Sequence, residues 1–298
     1  MQSELKTNSN ISFIVPCFNC AGMLDDAVVS VIESNHTPGD EIILVDDGST
    51  DTTGKKISEF TTRFNFVKTV RHNINKGSAA AARNTGIDSA INPLIFCLDA
   101  DNILKPRSIS ALKEFLLTNK LDAAAFGKIE YFFDNSLDVA TPWVMAEKLD
   151  FINALNKPMT TPCGSGNFMF TKKIWQKVGR YNEALGGAYD SEIFGLKLLA
   201  EGAKFWTLHD SSYLHRKHEN STYLRDYEKR NTSLLFLAGL IDYWEQIHED
   251  DIEYIFGQGR KIWMHDIEQR PLRPKSNLKK KLTERLVNKL RKIITAIR

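Results

Sequence analysis

Residues 93–102, PLIFCLDADN, indicate the architecture of the chain most directly. The first six residues form a short apolar run, which is typical of a strand covered on both faces. Asp99 and Asp101 follow at once, and two carboxylates at a strand end can converge on one hard cation such as Mg²⁺ or Mn²⁺. A solvent-exposed turn is the alternative for an isolated D-x-D sequence. Ligands bind beyond the carboxyl ends of parallel strands, so this position favours the cation site.

The chain before this stretch repeats the same unit. Apolar runs that predict further buried strands lie at 11–15 and 41–45, and FVKTV at 66–70 also predicts a strand. Amphipathic or alanine-rich segments that predict helices lie at 21–34, 50–60 and 77–90. This alternation predicts an α/β fold with a mostly parallel sheet flanked by helices. Polar segments follow all four strands: PCFN at 16–19, DDGSTD at 46–51, RHNINKG at 71–77 and DADN at 99–102. We expect these four segments to line one ligand site.

The pattern changes after residue 102. Strands are expected at 123–133, at 167–171 and in two short separate runs, KFWTL and SSYLHRKH. Helices are expected at 108–117, 141–155 and 190–202, and from about residue 221 onward the pattern is helical.

The composition of the 298 residues, 42% hydrophobic and 26% charged, is that of an ordinary globular protein. It excludes disordered, collagen-like and disulfide-scaffold proteins. Four cysteines in a chain of this length indicate a reducing compartment. No apolar run approaches the roughly 20 residues needed to span a bilayer, and the N-terminus does not resemble a signal peptide. A cytoplasmic protein is expected.

The C-terminal segment 275–298 carries nine of the 39 Lys and Arg residues but only one of the 37 acidic residues. Its apolar residues recur at steps of three and four, which predicts a basic amphipathic helix. Such a helix suits an anionic membrane surface, here the inner face of the cytoplasmic membrane. Packing on the body or on a partner subunit is the alternative. The apolar helix face and the acidic body disfavour nucleic acid as a partner.

Four segments in this order, ISFIVPCFN, ILVDDGSTD, NKGSAAAARN and FCLDADN, resemble the nucleotide-sugar-binding half of a family 2 glycosyltransferase. The resemblance covers residues 10–105, is weaker over 160–220 and ends near residue 230. It implies a GT-A (Rossmann-like) domain at 1–220, with a nucleotide-sugar half at 10–105 and an acceptor half at 106–220. A helical extension at 221–270 and the basic helix at 271–298 would follow.

The resemblance also implies a set of nucleotide-binding residues: Pro16, Cys17, Phe18, Asp46, Asp47, Lys76, Gly77, Arg83, Asp99, Ala100 and Arg216. Asp47 would contact the nucleobase, Arg83 would lie near the diphosphate and Asp99 would approach the ribose. The residue types alone leave other roles open. Asp, Ser and Thr in 46–51 also suit a turn and a helix cap, and Arg83 could instead hold the acidic loop or be an exposed helix residue.

The metal site implied by the resemblance consists of Asp101, Asp99 and His218, with Mn²⁺ or Mg²⁺ as the cofactor. His218 comes from the segment HRKHENST, in which His215 is a further candidate. A neutral imidazole can coordinate a metal ion, although a surface histidine is the commoner case.

The acceptor side is expected around the turn Gly164, Ser165 and Gly166, with Asp190 or Glu192 as the catalytic base. The family usually has Glu-Asp at this helix start, whereas this chain has Tyr189-Asp190 followed by Ser191 and Glu192. An ungapped alignment on the following glycine places Ser191 at the base position. An acidic helix cap is the non-catalytic alternative for these carboxylates.

The implied activity is inverting, metal-dependent transfer of a hexosyl or N-acetylhexosaminyl group from a nucleoside-diphosphate sugar. A UDP-sugar is the commonest donor in the family, and the acceptor would be a glycan or a lipid-linked glycan in surface polysaccharide synthesis. Two alternatives are a nucleotidyltransferase-like enzyme and a degenerate, non-catalytic sugar-nucleotide-binding module. The first usually has a basic loop after strand one, which PCFNCAGML lacks, and the intact D-x-D and DDGSTD sequences argue against the second.

Overall fold

The computed structural model describes residues 9–132, 142–156, 160–185, 189–218 and 238–248. The basic segment 271–298 lies outside these ranges, as does the predicted helical extension apart from residues 238–248. The boundaries expected for these C-terminal segments therefore stay predictions.

The first hundred residues form parallel strands joined by helices, as the sequence predicts. The strands are β1 (Ile11–Cys17), β2 (Glu41–Asp46), β3 (Val67–Arg71) and β4 (Leu94–Cys97), and the helices are α1 (Leu24–Ser34), α2 (Thr53–Arg63) and α3 (Ala79–Ser89). The strand order is β3-β2-β1-β4, and each pair is parallel. Helices cover both faces of β1, β2 and β4, so these strands are buried on both faces, whereas the edge strand β3 is largely exposed.

The second half extends this sheet. Its strands are β5 (Ile103–Leu104), β6 (Ala123–Phe132), β7 (Trp143–Val144), β8 (Phe168–Thr171) and β9 (Phe205–Arg216), and its helices are α4 (Ser108–Thr118), α5 (Phe151–Asn156), α6 (Lys172–Val178) and α7 (Asp190–Ala200). Short 3₁₀ helices lie at Pro162–Ser165, Glu183–Leu185 and Ile241–Gln246. β8 runs antiparallel between β4 and β6, and β6 pairs in parallel with β9. The result is a mixed, mostly parallel α/β sheet with flanking helices.

Two predictions for the second half are wrong. The described residues of 141–155 do not form one helix, because β7 pairs with β6 and α5 begins only at Phe151. KFWTL and SSYLHRKH are not separate strands either. β9 is continuous because β6 extends to Phe132 and pairs along it, with a register shift between Phe126 and Lys128 that absorbs the polar residues between the two apolar runs.

The core consists of two apolar layers, one on each face of the sheet. Ile14 of β1 belongs to one layer, and its neighbours Phe13 and Val15 belong to the other. Gly86 allows α3 to pack closely on β1, since a Cβ at this position would collide with the side chain of Ile14. This contact fixes the position of Arg83, about one turn earlier on α3.

The carboxyl ends of the four parallel strands meet at one edge, and hydrogen bonds join the loops there. The side chain of Asn19, after β1, accepts a hydrogen bond from the backbone N–H of Thr50 at 2.8 Å. The Asn19 backbone N–H donates to Oγ of Ser49 at 3.1 Å. The loops after β1 and β2 are therefore held as one surface. Across the described ranges, no helix is long and apolar enough to cross a membrane.

Candidate functional site

Asp47 follows β2 directly and lies at the shared edge of the sheet. Its Oδ1 accepts hydrogen bonds from Nδ1 of His72 at 2.5 Å and from the backbone N–H of Lys76 at 3.1 Å. Its Oδ2 accepts from the same N–H at 3.2 Å. Gly48 makes this closure possible, because with φ of 72° its added Cβ would lie 2.6 Å from the backbone nitrogen of Asn75. The loop after β3 thus closes over the loop after β2.

Asp46, the neighbour of Asp47, points into the protein. It is 1% exposed, its Oδ1 accepts a hydrogen bond from the backbone N–H of Ser49 at 2.8 Å, and its Oδ2 pairs with Arg71 at 3.4 Å. The structure therefore gives Asp46 a role in holding the loop after β2.

The other residues expected around the base differ in accessibility. Phe18 is 38% exposed, Pro16 is half-buried, and Lys76 and Gly77 are exposed. Cys17 is fully buried, and its thiol donates a hydrogen bond to the carbonyl oxygen of Val15 at 3.3 Å. Phe18 and Lys76 can therefore reach a ligand at this edge, whereas the Cys17 side chain faces inward.

Arg83 lies in a buried network of ion pairs. Its Nη1 contacts Oδ2 of Asp190 at 2.5 Å and its Nη2 contacts Oδ1 of Asp99 at 2.6 Å, and the residue is 4% exposed. Burial acts to lower the pKa of Arg83, but the charges of Asp190 and Asp99 outweigh burial and raise it above its ordinary value. The guanidinium group joins the end of β4 to the start of α7, and both of its terminal nitrogens are engaged.

Asp99 is also held by amide side chains. Its Oδ2 accepts hydrogen bonds from Nδ2 of Asn167 at 3.2 Å and from Nδ2 of Asn102 at 3.4 Å. Gly166, with φ of 71°, lies beside it, and an added Cβ there would be 3.6 Å from Asp99 Oδ2 and 3.7 Å from Oγ of Ser191. The turn that contains Gly164, Ser165 and Gly166 thus adjoins the end of β4 and the start of α7.

The two carboxylate oxygens of Asp101 differ in their contacts with the described residues. Its Oδ2 lies 3.0 Å from Nε2 of His218, while its Oδ1 is buried without a hydrogen-bond partner among the described residues. Burial acts to raise the pKa of Asp101, but the hydrogen bond from His218 and the charges of His215 and His218 lower it below its ordinary value. Ala100, between the two carboxylates, is buried.

Arg216, at the end of β9, holds the D-x-D loop from the protein side. Its Nε donates to the carbonyl oxygen of Asp101 at 3.1 Å, its Nη2 pairs with Asp26 at 2.6 Å, and its guanidinium lies 4.7 Å from the ring centroid of Phe132. The residue is 5% exposed. Direct contact of Arg216 with a nucleotide stays a prediction, and the arrangement seen here positions the loop.

The two carboxylates of α7 have different surroundings. Asp190 is occupied, because its Oδ2 binds Arg83 and its Oδ1 accepts from the backbone N–H of Ser191 at 2.8 Å. Burial raises the pKa of Asp190, and the charge of Arg83 opposes this rise. Glu192 has neither a hydrogen bond nor an ion pair within the described ranges, and burial raises its pKa well above its ordinary value. Its charge contributes to the raised pKa of Cys163, so Glu192 lies near the turn at 162–165.

Residues 12–178, more than half of the chain, match the family model described as Glycosyl transferase family 2. The chain belongs to this family. It is a glycosyltransferase, and its strand-end carboxylates belong to a nucleotide-sugar-binding fold.

Relatives with similar sequences include a bacterial glycosyltransferase and a polysaccharide synthase, and S. aureus TarS is among the solved structures with a similar fold. Glycosyltransferase GlyG of Streptococcus pneumoniae is 29% identical over 225 residues, which cover 71% of this chain and 72% of GlyG. Poly-beta-1,6-N-acetyl-D-glucosamine synthase of Staphylococcus epidermidis is 36% identical over 104 residues, 35% of this chain and 24% of that protein. The chain therefore spans about a quarter of this second relative. Residues 1–349 of S. aureus TarS, in complex with UDP-GlcNAc, have a similar fold with a TM-score of 0.63 at 16% identity, covering 83% of this chain and 70% of that one.

The D-x-D loop of this glycosyltransferase fits a divalent cation. The buried Oδ1 of Asp101 has no partner in the part of the chain that the structure describes, and carboxylate oxygen is a donor that suits Mn²⁺ or Mg²⁺. The imidazole of His218, on the other oxygen of Asp101, could add a nitrogen donor. Within the described ranges no group of three or more His, Cys, Asp or Glu side chains is placed to hold a metal ion by itself. Donor phosphate oxygens and water would complete the coordination, as is usual for Mg²⁺ in such enzymes.

Several residues of the site are not evident from the sequence. His72 and Asn167 bind Asp47 and Asp99, and Asp26 pairs with Arg216. His72 lies in the polar segment after β3, so its position at a strand end is the available signal. Asn167 and Asp26 come from a turn and from α1, and only the tertiary structure brings them to the site.

Proposed function

We propose that this glycosyltransferase moves a hexosyl or N-acetylhexosaminyl group, with inversion, from a UDP-sugar to a glycan or lipid-linked glycan in surface polysaccharide synthesis. The observation that carries the proposal is the meeting of Asp47, Asp99 and Asp101 at one edge of the parallel sheet. The polymer made by the Staphylococcus epidermidis relative and the UDP-GlcNAc bound to TarS support the acceptor class and the donor class.

On the donor side, each strand end has a distinct task. Asp47 accepts a hydrogen bond from the nucleobase, the exposed ring of Phe18 packs on the base, and exposed Lys76 approaches the phosphates. Asp101 and His218 would hold Mn²⁺ or Mg²⁺, and the cation would neutralise charge on the departing diphosphate. Arg83 acts indirectly, since it is buried and orients Asp99.

On the acceptor side, inverting transfer needs one carboxylate to take the proton of the attacking hydroxyl. The hydroxyl oxygen bonds to the anomeric carbon while the bond from that carbon to the diphosphate oxygen breaks. Glu192 is better suited to accept the proton than Asp190, because Asp190 is already bound by Arg83 and Ser191. Glu192 also lies near the turn at 162–165, which we assign to the acceptor pocket.

The donor assignment is tested by calorimetric titration with UDP, dTDP, GDP, CDP and ADP, each with Mn²⁺, with Mg²⁺ and with EDTA. We expect UDP to bind with a Kd at least about tenfold lower than that of CDP, a difference of about 1.4 kcal/mol, and to bind weakly in EDTA. Binding of another diphosphate in preference to UDP would change the donor. Binding of none by the folded protein would contradict the proposed function.

The basic segment 275–298 supports a second part of the proposal, attachment to an anionic membrane surface. At roughly 1 kcal/mol for each basic residue near the surface, its nine Lys and Arg residues are sufficient for binding. We expect the full chain to sediment with vesicles containing phosphatidylglycerol and the chain ending at residue 274 to remain in solution. Equal sedimentation of both, or sedimentation with neutral phosphatidylcholine vesicles, would contradict this attachment.

A further inference from the structure

A chain of hydrogen bonds runs from α3 to Asp47 at the edge of the sheet. Nε2 of His72 lies 2.9 Å from Oγ1 of Thr85, and Nδ1 of His72 lies 2.5 Å from Oδ1 of Asp47. His72 follows β3, and its backbone N–H donates to the carbonyl oxygen of Asp46 at 2.9 Å. The imidazole is therefore fixed through its backbone and through both ring nitrogens.

The direction of these hydrogen bonds follows from the chemistry of the groups. A carboxylate only accepts, so Nδ1 of His72 carries the proton and donates to Asp47. In the neutral ring Nε2 then accepts, so the Thr85 hydroxyl donates to it. Thr85 thus selects the ring form that presents a donor to Asp47.

Oδ1 of Asp47 accepts from His72 and from the Lys76 backbone N–H, whereas Oδ2 accepts only a share of that N–H at 3.2 Å. A carboxylate offers about four acceptor positions, so Oδ2 retains room for one more donor. The Asp47 side chain is 6% exposed, which limits this donor to a group that approaches from the edge of the sheet.

We propose that His72 and Thr85 are positioning residues that orient Asp47 to select a nucleobase with a ring N–H donor. This inference rests on the proposed function. Uracil, thymine and guanine carry such a donor, and cytosine and adenine present a ring acceptor in its place. The ring nitrogen of cytosine or adenine would face Oδ2 of Asp47 without a proton between them. Two buried acceptors would then oppose each other, which disfavours binding of CDP and ADP.

The experiment compares variants of the full chain by their UDP and CDP affinities and by their steady-state constants with a UDP-sugar. His72→Leu removes the donor to Asp47, while His72→Asn places an amide N–H close to the position of Nδ1. We expect His72→Leu to reduce the preference for UDP over CDP about tenfold and to raise the donor KM with little change in kcat. His72→Asn should restore most of the preference. His209→Asn, an exposed histidine of β9, is the matched control and should not change it.

Thr85→Val provides an independent test if His72→Leu does not fold, because it keeps the side-chain shape and removes only the hydroxyl. We expect Thr85→Val to reduce the preference for UDP over CDP by a smaller factor than His72→Leu does. Thr85→Ser should behave as the wild type. An unchanged UDP-to-CDP ratio in a folded His72→Leu or Thr85→Val variant would overturn the positioning role while leaving the proposed function intact. Failure of the wild type to bind any nucleoside diphosphate would overturn both.

Discussion

Replacement of Asp101 with asparagine is expected to lower glycosyl transfer about a thousandfold, corresponding to several kcal/mol of lost charge stabilisation. Asparagine keeps the size of the side chain but removes the negative charge beside His218. The buried Oδ1 of Asp101 then no longer offers a charged ligand to Mn²⁺ or Mg²⁺. UDP binding should also lose its dependence on the cation.

The measurement is calorimetric titration of UDP with Mn²⁺ and with EDTA, together with the rate of transfer. Asp210→Asn is a matched control, since the Asp210 side chain is 90% exposed and belongs to the irregular part of β9. The control should keep both the rate and the cation dependence. An Asp101→Asn variant that binds UDP in the same cation-dependent manner as the wild type would exclude Asp101 as a ligand.

The fold of the first half is readable from the sequence because its elements are local and repetitive. β1, β2 and β4 are mostly apolar and buried, and a polar segment marks the carboxyl end of each. β9 is less readable because the four polar residues 209–212 interrupt its apolar pattern, and its continuity depends on pairing with β6. The two-residue strand β7 likewise depends on its pairing with β6.

The sequence identifies the residue types of the site but not which residues contact one another there. The resemblance places both Asp46 and Asp47 at the nucleotide, with Asp47 on the nucleobase, yet in the structure Asp46 turns inward to Ser49 and Asp47 lies at the edge under His72. The difference arises from the loop after β3, which closes over Gly48. Similarly, the resemblance places Arg83 near the diphosphate, whereas in the fold Arg83 holds Asp99 of the acidic loop and also binds Asp190 at the start of α7.

The Arg83 network is the physical reason for separating the roles of Asp190 and Glu192. Removal of one partner from a buried ion pair costs about 3–5 kcal/mol, because it leaves a buried charge without compensation. Asp190→Asn should therefore lower the free energy of unfolding and disturb Asp99, which shares Arg83. Its effect on transfer should be accompanied by weaker donor binding.

Glu192→Gln is expected to leave UDP affinity and thermal stability close to those of the wild type and to lower kcat about a hundredfold or more. A carboxylate base acts only when deprotonated, so transfer by the wild type should rise with pH through the pKa of Glu192. Because burial raises this pKa, the rise should fall above the usual range of a glutamate, and Glu192→Gln should remove it. Ser191→Ala is the neighbouring control and should stay active. If Glu192→Gln is fully active while folded Asp190→Asn binds UDP and does not transfer, the base is Asp190, and Arg83 orients the base itself.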